Sequence, residues 1–120
     1  MSQPPRFRIR IVFGPDAMIG PGKAELLERI AATGSIAGAG REMGMSYKRA
    51  WQLVETLNAM FREPLVRSTR GGARGGGAAV TEAGRAVLAE YRALEAQAEA
   101  AGAPHAARLQ AMMRTAPGET

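Results

Sequence analysis

Three features of the 120-residue sequence predict a mainly α domain with a small β-wing. Two serine-headed helical segments are joined by a short turn containing Gly44; five glycines crowd into Gly71 to Gly77 between two strand-forming runs; and a long amphipathic segment follows Thr81. In chain order this gives a strand, three helices, a hairpin and a long helix. That is the layout of a winged helix-turn-helix with an N-terminal strand and a long C-terminal dimerisation helix.

Phe7, Ile9, Ile11 and Phe13 alternate with Arg8, Arg10 and Val12, so Arg6 to Phe13 is expected to be a strand with one face buried. Gly14-Pro15-Asp16 and Gly20-Pro21-Gly22 are breakers. A first helix is expected from about Lys23, with Leu26, Leu27, Ile30 and Ala31 as its apolar stripe and Gly34 as its stop. Ser35 can accept a hydrogen bond from the free N–H groups of the next turn, so it caps a short helix from Ile36 to about Met43. Ser46 caps a longer one reaching about Phe61, with Ala50, Val54, Leu57 and Phe61 on one face.

Pro64 stops that run, and Leu65 to Arg70 with Ala78 to Val80 read as the strands of a hairpin. Thr81 caps the last long helix, and Gly102-Ala103-Pro104 is expected to end it, leaving a weak helix around Ala106 to Met113. The organisation expected is therefore a winged domain over 1–80, a dimerisation helix over 81–101 belonging to the same unit, and a tail over 102–120.

The chain has no Cys and one His, His105, which removes thiolate chemistry, disulfides and the common zinc sites together. No metal, cofactor or catalytic residue is expected, since no acid, base or nucleophile falls in a plausible pocket. The longest stretch free of charge, Ile30 to Gly40, is too short to span a bilayer, so a cytoplasmic, nucleoid-associated protein is expected. The formal net charge is +5, with twelve basic and six acidic residues over 1–80 against four and five over 81–120. That asymmetry points to a polyanion, double-stranded DNA, as partner of the front two thirds. Fourteen of the sixteen basic residues are Arg, a bias that a GC-rich genome would also produce.

A helix-turn-helix needs a small residue where its helices cross, a glycine in the turn and apolar residues inside the second helix. Gly40, Gly44, and Ala50 with Leu53 and Val54 supply them in that order. An ordinary helical hairpin is the plainer reading of the segment. On a helical wheel Lys48 and Gln52 fall opposite the apolar arc, with Tyr47, Arg49 and Trp51 on its margins near the N-terminal end. Lys48, Arg49 and Gln52 are expected to read bases, while Ser35, Ser46, Tyr47, Arg67, Arg70 and Arg74 complete the DNA-binding set on phosphates, bases or the minor groove. Trp51 either packs against the domain or stacks on DNA. The glycine-rich loop matches neither a Walker A loop nor a dinucleotide fingerprint. On the long helix, Val87, Leu88, Tyr91, Leu94 and Ala98 form a seam that either pairs with a second copy or folds back on the first helix and the N-terminal strand.

The stretch G-S-I-A-G-A-G-R-E-M-G-M-S-Y-K-R-A-W, Gly34 to Trp51, with R-G-G-A-R-G-G-G-A-A-V-T-E-A-G-R, Arg70 to Arg85, resembles the N-terminal DNA-binding domain of ModE-type molybdate-responsive transcription regulators. More distantly it is similar to LysR-type winged helices. The resemblance covers roughly Arg6 to Ala100. It implies that the helix bearing S-Y-K is the recognition helix, which puts Ser46, Tyr47 and Lys48 at the DNA, and that Thr81 to Ala100 is a dimerisation arm. Full-length members carry molybdate-binding Mop domains after the arm; some twenty residues follow it here, so direct oxyanion sensing by this chain is not expected, and a separate effector protein or ligand is an open possibility. A winged-helix protein-interaction module and an architectural DNA binder without sequence preference are the alternative functions.

Overall fold

The computed structural model describes residues 4–69 and 77–114. Its elements run β1 (Ile11–Gly14), β2 (Ala17–Ile19), α1 (Pro21–Thr33), α2 (Ile36–Glu42), α3 (Tyr47–Met60), β3 (Val66–Thr69), β4 (Gly77–Val80) and α4 (Glu82–Ala111). The predicted architecture of a small wing on a helical body with a long last helix is observed. Two antiparallel pairs form, β1 with β2 and β3 with β4.

The N-terminal strand is shorter than expected and belongs to a hairpin. Ile11 pairs with Ile19 and Val12 with Met18 around the Gly14-Pro15-Asp16 turn. Residues 6–10 find no strand partner and lie against α4 instead: the Tyr91 hydroxyl donates to the Ile9 carbonyl at 2.6 Å. The expected buried face also breaks down at its far end, where Phe13 is 61% exposed.

Helix α1 begins at Pro21, two residues earlier than its breaker-like sequence suggests, because proline at the first position needs no N–H partner and already has a helical φ. Its buried side is Lys23, Ala24, Leu26, Leu27 and Ile30; Ala31, placed on the stripe from spacing, is exposed. Gly34 closes the helix with φ +72° as expected.

Helices α2 and α3 cross where Gly40 faces Ala50. A Cβ at Gly40 would lie 2.8 Å from the Ala50 Cβ, so the crossing distance requires glycine. Gly44, with φ +73°, makes the turn between them. Asn58 then ties the wing to α3: its Oδ1 accepts from the N–H groups of Leu65 (2.8 Å) and Val66 (3.1 Å), and its Nδ2 donates to the Val66 carbonyl (3.0 Å).

The largest departure is α4, which continues through the expected stop at Gly102-Ala103-Pro104 to Ala111, a rod of about 45 Å at 1.5 Å per residue. Gly102 is a packing site: a Cβ there would sit 2.7 Å from the Phe7 ring. Pro104 has no N–H to offer the carbonyl four residues earlier, but the turn around it is open to solvent and the surrounding alanines favour helix.

The main core gathers Leu26, Leu27 and Ile30 of α1 with Val54 and Leu57 of α3, Leu65 beside the wing, and the wing's Val66 and Val80. A second cluster of Ile19, Ala24 and Tyr91 joins the hairpin to α4, and Val87 and Leu88 touch both. Arg92 clamps α4 to α1 through Glu28 (2.7 Å) and bonds Glu95 (2.6 Å); these two carboxylates, Glu28 first, hold its guanidinium well above the ordinary arginine range.

Candidate nucleic-acid interface

Helix α3 presents a polar face at its N-terminal end because its apolar residues are used inward. Ala50, Val54 and Leu57 are buried, whereas Lys48, Arg49, Gln52 and Glu55 are exposed. The Ser46 hydroxyl accepts from the Arg49 N–H at 3.1 Å, which fixes where the helix starts and hence which side chains occupy its first turn. Ser35 does the same for α2, accepting from the Gly38 N–H at 2.8 Å. Arg29 bonds Glu25 (2.7 Å) and Glu42 (2.9 Å), joining α1 to α2 through pairs that solvent screens.

Tyr47 is 56% exposed, and its ring meets Trp51 edge-on with centroids 6.2 Å apart. The Trp51 indole N–H donates to the Tyr47 hydroxyl, and the Trp51 ring packs half-buried against the main core. Of the two roles open to Trp51, the fold therefore uses it for packing. Ser35, Tyr47 and Trp51 line a hollow of about 350 Å³ with Ser68, Thr69 and Ala78 of the wing. The wing and the N-terminal end of α3 thus share one surface.

Of the sequence-predicted DNA-binding residues, Ser46, Tyr47, Lys48, Arg49 and Gln52 lie together at one end of α3, and Ser35 is across the hollow. Arg67 is exposed on β3, in register with Ala79 and alternating with the core-facing Val66. Arg70 and Arg74 lie outside the described residues.

The predicted seam on α4 divides. Tyr91 is only 3% exposed and is taken up inside the protomer, with burial first and Glu95 second raising its hydroxyl above the ordinary tyrosine value. Leu88 is half-buried between the two clusters. Val87, Leu94 and Ala98 instead border an open apolar groove of about 790 Å³ completed by Ile11, Phe13 and Phe61. Fold-back and an outward face are both realised on one stripe: Leu88 packs inward, Leu94 and Ala98 border the groove, and Val87 and Tyr91 do both. Spacing on α4 gave no sign of the contributions of Phe13 and Phe61, because they come from other elements. Asn58 adds a structural role not expected from the sequence; a polar residue in the last turn of the helix, six positions before Pro64, is the signal that could mark it. Among the described residues, no helix is long and apolar enough to cross a membrane.

Comparison with known proteins agrees with this arrangement. The chain is similar to the molybdenum-pterin-binding protein MopA of Rhodobacter capsulatus, at 53% identity over 77 residues that make up 64% of this chain and 29% of that protein. It is similar to the molybdenum transport protein ModE of Azotobacter vinelandii, at 43% over 79 residues, 66% of this chain and 29% of that one. The DNA-binding transcriptional dual regulator ModE of Escherichia coli (strain K12) matches at 37% over 71 residues, 59% of this chain and 27% of the regulator. The match therefore spans about three tenths of the length of these curated relatives. The likeness to ModE-type regulators read from Gly34–Trp51 and Arg70–Arg85 holds. Residues 22–85, from the first turn of α1 through the wing to the start of α4, match the bacterial regulatory helix-turn-helix proteins of the LysR family, and the chain belongs to that family.

Proposed function

We propose that this chain binds double-stranded DNA as a homodimeric, sequence-specific transcription regulator of the cytoplasm, associated with the nucleoid, and that its targets concern molybdate or a related oxyanion. The observation that carries this reading is the exposed first half of α3: Lys48, Arg49 and Gln52 face solvent, and neither Lys48 nor Arg49 forms an ion pair among the described residues. Such an end fits the major groove, where cations and amides discriminate base edges. Ser35, Ser46, Tyr47 and Arg67, with Arg70 and Arg74 of the loop, contact the sugar-phosphate chain or bases around it. Family membership favours regulation over catalysis. The oxyanion link rests on the names of the relatives alone.

Dimerisation uses the groove bordered by Val87, Leu94 and Ala98, an apolar surface that one protomer leaves uncovered. A second copy there would place two recognition ends on half-sites about 34 Å apart, or a multiple of that.

Selection of bound fragments from random duplex DNA tests the reading. Enrichment of a roughly palindromic site is expected, and repeating the selection with molybdate and tungstate reads any dependence on those anions. Binding without enrichment would make the protein an architectural DNA binder, and absence of duplex binding would favour a protein-interaction module.

A further inference from the structure

Resting on that DNA-binding reading, we propose that Arg10, backed by the buried charge of Lys23, forms a phosphate-binding corner next to Arg49 that carries the duplex interface off the recognition helix and onto the N-terminal hairpin. Arg10 stands just before β1, and its side chain lies across Gly20, so that a Cβ added there would be 3.6 Å from Arg10 Cγ. Lys23 is three residues further on, where its ammonium donates to the Met18 carbonyl at 2.7 Å. Both cations therefore sit at the corner between the hairpin and the start of α1.

Arg49 reaches this corner from α3. The Lys23 ammonium lies below the ordinary lysine value, through burial first and then through repulsion by Arg49 and Arg10, so the three charges share one neighbourhood. Tyr47 faces the hollow beside the wing. Arg49, two residues later, is turned by about 200° around the helix, which puts it on the opposite flank.

No carboxylate pairs with Arg10, Lys23 or Arg49 among the described residues, although Arg29 and Arg92 are each bonded to two. Like charges gathered without a counter-charge repel, and a polyanion laid over them removes that repulsion. Arg8, also exposed, continues the strip along the same extended segment. Arg8 and Arg10 precede residues 22–85, so they add to the part of the chain that matches the family.

The ligand chemistry is a phosphate oxyanion, and the source we assign is the DNA backbone flanking each half-site. The test uses the full chain and a duplex it selects, comparing wild type with Arg10→Ala and Arg10→Lys by salt-dependent fluorescence anisotropy and hydroxyl-radical footprinting. Arg10 is exposed, so these variants leave the core untouched. Arg10→Ala should lower the slope of log affinity against log salt by about one unit per DNA-bound protomer and erase protection at the outer edge of the footprint, leaving the centre intact. Arg10→Lys should restore both. An unchanged slope and footprint in Arg10→Ala overturns the corner while leaving the recognition helix standing; failure of wild type to prefer any duplex instead overturns the reading on which the corner rests. Calorimetry with inorganic phosphate and with molybdate, without DNA, separates the sources. Saturable anion binding lost in Arg10→Ala with an unaltered footprint would assign the corner to a free anion and overturn the proposal.

Discussion

The two ends of the molecule are built in opposite ways. The α2–α3 end is held by short-range devices: a serine cap three residues from its partner on each helix, a glycine turn, and a glycine–alanine crossing between consecutive helices. The α4 end is held by contacts between distant residues, Tyr91 to Ile9 across 82 positions and Arg92 to Glu28 across 64. The first end leaves polar and cationic groups exposed; the second leaves an apolar groove. A surface meant for a polyanion needs its charges fixed in direction, which local caps do cheaply. A surface meant for another apolar face needs area, and area is assembled from elements far apart in the chain.

The largest effect should come from breaking the apolar end. Leu94→Glu with Ala98→Glu puts charges on the groove without touching either core cluster. Sedimentation should then show monomers, and affinity for a two-half-site operator should fall by about 10²–10⁴-fold, the avidity lost when two linked contacts become one. A dimer that survives places the subunit contact elsewhere.

A matched pair of glycine substitutions compares the two ends directly. Alanine gains about 1 kcal/mol of helix propensity over glycine at either position. At Gly40 the new Cβ meets the Ala50 Cβ, which is fixed in a facing helix, so Gly40→Ala should be destabilising by about 1–3 kcal/mol in chemical denaturation. At Gly102 it meets the far edge of the Phe7 ring, one side chain on an extended segment outside the helices and strands. Gly102→Ala should change global stability by less than about 0.5 kcal/mol and instead speed amide exchange in residues 4–9. Equal losses at both sites would mean that the N-terminal segment is as firmly built in as the helix crossing.

This contrast also explains how much of the fold could be read from the sequence. Ser35, Ser46 and Thr81 all cap the helices they precede, because capping depends on neighbours within three residues. Gly34 and Gly44 stop where expected for the same reason. Gly102 was misread since its glycine answers to Phe7, ninety-five positions away, and nothing local distinguishes a packing glycine from a stop. The strand expected over residues 6–13 forms only from Ile11 for the same reason: alternation reports that a face is buried, and here part of that burial is against a helix at the other end of the chain. On the candidate site, the outward set of α3 followed from helical periodicity, whereas the cationic corner did not, because Arg10, Lys23 and Arg49 lie on three separate segments of the chain.

At the polar end the sharpest test is Gln52→Ala. Gln52 is exposed on the outward face of α3 and its backbone carbonyl accepts from the Thr56 hydroxyl, so the truncation removes a side chain that holds no structural bond. It should cost about 1–3 kcal/mol at one operator position and relax the preference there, as measured by affinity across single-base operator variants. A uniform loss on every sequence would move Gln52 from base readout to the backbone.

The substitution that best isolates the long-range end is Tyr91→Phe. Removing the hydroxyl deletes its bond to the Ile9 carbonyl and should cost about 1 kcal/mol near neutral pH. The pH dependence has a definite sign. Burial raises the folded-state value of this phenol above the ordinary 10, so the fold favours the protonated form. Its contribution is complete below pH 10, where the unfolded phenol is also protonated, and it is lost as pH climbs through the raised folded value, where the fold must accept a buried phenolate. The stability advantage of wild type over Tyr91→Phe in denaturant titrations should therefore stay constant from pH 7 to about 9.5 and shrink above 10, since phenylalanine has no proton to lose. An advantage that stays flat to pH 11 would mean that the hydroxyl does not hold the N-terminal segment, and the apolar contact of Phe7 on Gly102 would then anchor it.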